Sequence, residues 1–147
     1  MKCILYSLFL IFLLGILHSC RDSKSTIIED PLVIQQIDSL ISLSRDFTAK
    51  GQFDMAMEIN AKAEKIALEK LGQKSSSYGS CIFNRGRIND FIGDFVEAEK
   101  WYLKSLSIRK SALGRVHQDY ALSLNNLGSI YFQMSMYEKA EDFFFRS

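Results

Sequence analysis

Proline occurs once in this 147-residue chain, at Pro31, histidine twice, at His18 and His117, and tryptophan once, at Trp101. A chain so poor in proline is free to run in long helices, and its wealth of Leu, Ala, Glu and Lys leans the same way. Two histidines, with no HExxH and no CxxC, offer no metal site. His117 has no Cys, Ser or carboxylate spaced to form a catalytic constellation with it, so no enzyme follows from the sequence. The glycines never form GxGxxG, and no cofactor is implied. Net charge is also scarce: 18 Lys and Arg stand against 17 Asp and Glu. Without a basic stripe the chain is no dedicated nucleic-acid binder.

What is present begins with a segment unlike the rest. Met1-Lys2-Cys3 is a short positive start, and Ile4 to Leu17 is apolar apart from Tyr6, Ser7 and Gly15. That is the n-region and h-region of a secretory signal, and the run is short for a bilayer span, which needs about 20 apolar residues. Leu17-His18-Ser19-Cys20 follows, then the polar Arg21 to Ser25. This end resembles a bacterial lipoprotein signal, although His18 stands where that family usually has a small residue. The resemblance implies cleavage before Cys20 and lipid on its sulfur, with palmitate-type acyl chains as a membrane anchor. It also places the protein in the bacterial cell envelope, on the outer membrane or periplasmic face. A plain secretory signal or an uncleaved anchor are the other readings. After processing, Cys81 remains alone, which rules out an internal disulfide and suits a small buried helix residue.

The predicted organisation is a signal over residues 1–19, a tether over 20–30 and a folded array over 31–147. Asp30-Pro31 marks the helix start, with an N-cap acceptor followed by a proline whose missing N–H costs nothing there. Beyond it the chain repeats with a 42-residue period. The shift that carries Tyr78 onto Tyr120 also carries Gly86 onto Gly128, Phe95 onto Tyr137, Ala98 onto Ala140 and Glu99 onto Glu141. Backwards it carries Gly93 onto Gly51, Phe95 onto Phe53 and Ala98 onto Ala56. Within a unit Leu124, Leu127, Gly128 and Tyr131 form one helical stripe, and Tyr137, Ala140 and Phe144 form a second. Gly86, Gly128, Ala56, Ala98 and Ala140 permit close helix approach, while Tyr131, Phe95 and Tyr137 fill space beside them. The units run over about 36–77, 78–119 and 120–147, the last incomplete.

These residues resemble the tetratricopeptide repeat, and the Tyr120 to Gly128 stretch resembles its longer kinesin light chain variety. The resemblance implies an all-α fold: an α-solenoid of antiparallel helix hairpins in a right-handed superhelix, with about 2.5–3 repeats. It also implies a concave groove for a peptide or protein partner. The asparagine two residues before the glycine is then a groove residue, here Asn84 and Asn126, unless each bonds within its repeat. Phe83, Asn125, Arg87, Ser129, Asp90 and Phe132 would share that groove.

By the same offset the last helix should reach about residue 155, yet Phe143-Phe144-Phe145 stand just before Ser147. Repeat arrays need a polar cap, and this is its opposite. A partner covers it, the array self-associates there, or the polypeptide continues. Two functions are therefore expected: a membrane-anchored interaction scaffold, or the regulatory front of a longer protein carrying a CHAT-type peptidase or sensor kinase.

Overall fold

A computed structural model describes residues 30–147; the signal segment, Cys20 and most of the tether lie outside the described residues. Six helices follow one another with no strand among the described residues: α1 (Pro31–Ala49), α2 (Phe53–Lys70), α3 (Ser76–Ile92), α4 (Phe95–Leu113), α5 (Gln118–Gln133) and α6 (Tyr137–Arg146). None of these is long and apolar enough to cross a membrane.

Short polar residues start α1, α3 and α4. Asp30 accepts the Leu32 N–H at 3.0 Å, Ser75 the Tyr78 N–H at 3.2 Å and Asp94 the Glu97 N–H at 3.1 Å. Each satisfies a backbone donor that the first helical turn leaves without a partner. His117, the histidine without a catalytic setting, caps α5 by accepting the Asp119 N–H on Nδ1 at 3.1 Å. The turns inside the hairpins need a left-handed residue. Gly51 and Gly93 supply it at φ 72° and 89°, but the third turn places Ser135 at φ 61°. A non-glycine residue is strained there.

Helices α1–α2, α3–α4 and α5–α6 pair as hairpins, and α2–α3 and α4–α5 pack the hairpins into a stack. Helix α1 also touches α3, which places the first helices of successive hairpins side by side. Two apolar clusters fill the stack. One gathers Ile37, Ile41, Ala63, Ala67, Tyr78, Cys81 and Ile82 at the first junction. The other gathers Phe83, Ala98, Tyr102, Leu127, Ile130, Tyr131 and Ala140 at the second. Burial raises the Cys81 thiol to about 12, so it remains protonated and unreactive at neutral pH.

The close approach within a hairpin has a specific form. A Cβ on Gly86 would lie 2.7 Å from the Tyr102 ring, and one on Gly128 would lie 2.7 Å from the Phe144 ring. The aromatic ring occupies the space that glycine leaves. In the first hairpin the corresponding pair is Ser44 and Asn60, both fully buried. A smaller side chain on α2 leaves room for a Cβ on α1. Ala56, Ala98 and Ala140 are likewise buried on the second helices, and Phe95 is partly buried against the second cluster. Tyr137 departs from the expected packing role. It is 59% exposed, because it lies on a face of α6 that no described helix covers.

Candidate binding groove

The face to consider is the one shared by α1, α3 and α5. Arg45 on α1 feels the charges of Arg87 on α3 and Asp119 at the start of α5. These are the first helices of successive hairpins, and α1 packs directly on α3. Partial burial, and then Arg87, hold the Arg45 guanidinium below its usual range. No carboxylate lies within ion-pair distance of Arg45, Arg87 or Arg109 among the described residues. Arg87 stands 6.0 Å from the Phe91 ring centre. Asp90, half-buried, accepts from Gln133 Nε2 at 3.4 Å, and burial raises its carboxyl above the usual range despite Gln133 and Arg87.

Two of the expected groove residues are not in the groove. Asn84 is 1% exposed and its Nδ2 donates to Ser44 Oγ at 2.9 Å and to Asn60 Oδ1 at 3.0 Å. Its amide is therefore engaged between hairpins, and its Oδ1 has no protein partner. Phe83 is also 1% exposed. Its ring centre lies 5.1 Å from that of Tyr102, and the Arg109 guanidinium stands over it at 4.2 Å. Register along the first helix points both residues at the groove, but side chains arriving from second helices cover them.

The remaining candidates do reach the surface. Asn125 is exposed, and Asn126 is half-buried, donating to the Leu122 carbonyl at 2.8 Å and accepting from the Tyr102 hydroxyl at 3.4 Å. Ser129 donates to the Asn125 carbonyl at 3.1 Å. Phe132 is 59% exposed, edge-on to Tyr137 at 5.5 Å. Exposed Phe132 and Leu122 give apolar contact area, and Asn125, Arg45 and Arg87 give free polar groups.

Two residues of this region escape a reading by motif. Arg45 sits one repeat before Arg87, so the repeat shift alone would have found it. Arg109 could not have been found that way, since Ala67 holds its place one repeat earlier. It is 2% exposed, donates to the Asp119 carbonyl at 2.9 Å and Ser123 Oγ at 3.0 Å, and locks α4 to α5. Desolvation lowers it to about 10. The described residues hold no cluster of three or more His, Cys, Asp or Glu that could bind a metal.

Residues 76–147 match the profile of the tetratricopeptide repeat family. The fold is a tetratricopeptide-type solenoid. Solved structures agree. BtubC (BKLC) from P. vanneervenii superposes with a TM-score of 0.67 at 24% identity, over 75% of this chain and 43% of its own. A Podosopora anserina protein of nearly identical TPR-like repeats, named for its likeness to kinesin light chain, gives 0.68 at 18% identity, over 77% and 54%. The chain thus matches only about half the length of these structures. No curated protein gives a significant match. Tetratricopeptide repeats generally mediate protein–protein interaction and typically carry no catalysis.

Proposed function

We propose that this chain is a protein-interaction scaffold whose tetratricopeptide groove, on α1, α3 and α5, holds a peptide or protein partner. The observation that carries this reading is the pair Arg45 and Arg87. They stand one repeat apart on α1 and α3, and no carboxylate lies within ion-pair distance of either among the described residues, Asp38, Asp90 and Asp119 acting on them only from farther off. A guanidinium with no carboxylate in ion-pair contact is a recognition group for an arriving carboxylate or backbone carbonyl. Exposed Asn125 adds an amide on α5, and Phe132 an aromatic ring at the end of that helix beside Tyr137.

The scaffold is tethered to a bacterial membrane through lipid on Cys20, which leaves the array in the cell envelope. Support for the tether is the sequence alone: the positive start, the apolar run and Leu17-His18-Ser19-Cys20. A photo-crosslinking residue at Asn125 tests the groove. Crosslinks to a partner that disappear in Arg45→Glu/Arg87→Glu, with helicity unchanged, are expected. Crosslinks that persist in that variant sink the groove assignment. For the tether, Cys20→Ala should release the protein from membranes.

A second reading has an observation of its own. The uncovered aromatic face of α6 suits an array that continues into a longer regulatory protein with a downstream effector such as a CHAT-type peptidase or sensor kinase.

A further inference from the structure

Short connections leave neighbouring helices antiparallel, so the stack has two edges. The turns within hairpins, at 50–52, 93–94 and 134–136, form one edge. The connections between hairpins, at 71–75 and 114–117, form the other, together with Asp30, where the chain enters α1.

The two edges differ in charge. Around the connections between hairpins stand Lys70, Lys74, Lys110 and Arg115, all exposed and none in an ion pair among the described residues. Two of the carboxylates on that edge are engaged elsewhere: Asp30 caps α1, and Asp119 acts on Arg45 and Arg109. Glu69 stands beside Lys70 as the third. The opposite edge carries Asp54, Asp90, Asp94, Glu97 and Glu138 against Lys50 and Lys139.

Apolar side chains accompany the free cations. Val116, between Arg115 and His117, is fully exposed, and Leu32 in the first turn of α1 is 73% exposed. The opposite edge exposes Phe91, Ile92 and Val96 as well, but in a stretch that holds Asp90, Asp94 and Glu97. An anionic surface therefore attracts the first edge and repels the second.

We propose that the edge of the connections between hairpins rests on an anionic phospholipid surface, with its four free cations at the headgroups and Val116 and Leu32 turned into them. The inference rests on the reading of Cys20 as a lipid anchor and adds an orientation to it. From Cys20 to Asp30 the chain reaches at most about 35 Å, and α1 is about 28 Å long. The basic edge is where the tether enters, whereas the acidic edge would meet the bilayer only with the tether near full stretch. Four cations hold such a surface weakly on their own, but an anchor keeps them beside it at high effective concentration. The groove helices then stand upright on the membrane, and their shared face opens sideways to a partner alongside.

Two variants of the lipidated protein test the orientation: Val116→Cys and Val96→Cys, each labelled with a fluorophore while buried Cys81 stays unlabelled. Each is reconstituted in phosphatidylcholine vesicles with and without phosphatidylglycerol, and quenching by a lipid-borne nitroxide is read. With phosphatidylglycerol the label at 116 should be quenched and the label at 96 should not. Lys70→Glu, Lys74→Glu, Lys110→Glu and Arg115→Glu together should abolish the difference with helicity unchanged, as should high salt. Equal quenching of the two labels, or a difference that persists without phosphatidylglycerol, overturns the proposal. The chain from residue 20 with Cys20→Ser separates this failure from failure of the anchor. At low salt it should bind phosphatidylglycerol vesicles at least about tenfold more tightly than its charge-reversed variant. Equal binding of those two overturns the edge whatever Cys20 carries, whereas a native mass without lipid overturns the anchor alone.

Discussion

Asn84 of the second hairpin reaches Asn60 of the first, donating to its Oδ1 at 3.0 Å, and the same Nδ2 reaches Ser44 Oγ at 2.9 Å. Ser44 donates its own proton to the Ala56 carbonyl, and Asn60 donates to the Cys81 carbonyl and to Glu64. Glu64 in turn holds Arg85 through both oxygens. The first junction is therefore joined by a polar network, where the second is joined mainly by rings.

Asn84→Ala removes the centre of that network and leaves two buried groups without a donor. The expected cost is about 1–3 kcal/mol. Asn126→Ala, at the matching place one repeat on, loses only a long contact to a tyrosine hydroxyl and a bond on its own helix. It should cost less than about 1 kcal/mol. Urea unfolding of the two variants checks the asymmetry, and equal losses would contradict the buried role of Asn84.

Gly86 and Tyr102 occupy each other's space, as Ser44 and Asn60 do with the sizes exchanged. Gly86→Ser forces a Cβ into the ring and should cost about 1–3 kcal/mol. Tyr102→Asn empties a fully buried site and should cost about 3–5 kcal/mol. The double variant restores the pairing of the first hairpin and should lose less than the two single changes added together. A strictly additive double-mutant cycle would refute the exchange.

Asp90 carries a pH dependence of definite sign. Burial raises its folded carboxyl above the unfolded value, so the folded state binds that proton more tightly. Stability from this group is then present at low pH and is lost as pH rises through the raised value. Asp90→Asn should stabilise the protein at neutral pH, and the advantage should shrink on acidification. A melting-temperature difference that stays constant from neutral pH to the acid range would show that Asp90 is not desolvated.

The repeat shift carried most of the fold, because helix pairing and turn position depend on spacing within one repeat. The groove was less legible. Phe83 and Asn84 lie on the first-helix stripe by register, but what covers them comes from elsewhere. Arg109 on α4 spreads over Phe83, and Asn60 on α2 takes the amide of Asn84. Ser44 and Asn60 look like defects of the first repeat when compared with a pattern. In three dimensions they are the two partners that Asn84 requires. A substitution in one repeat is thus answered in the next, which spacing within a single unit does not reveal.

The strained turn at Ser135 gives the stack a direction. The first two hairpins close through glycines at positive φ, and the third closes through a serine at 61°. Holding a side chain there costs on the order of 1 kcal/mol. The deficit falls on the turn between α5 and α6 alone. Of the three hairpin turns this one should open first, so the hairpins that carry Arg45 and Arg87 keep their geometry through fluctuations that the third turn does not survive.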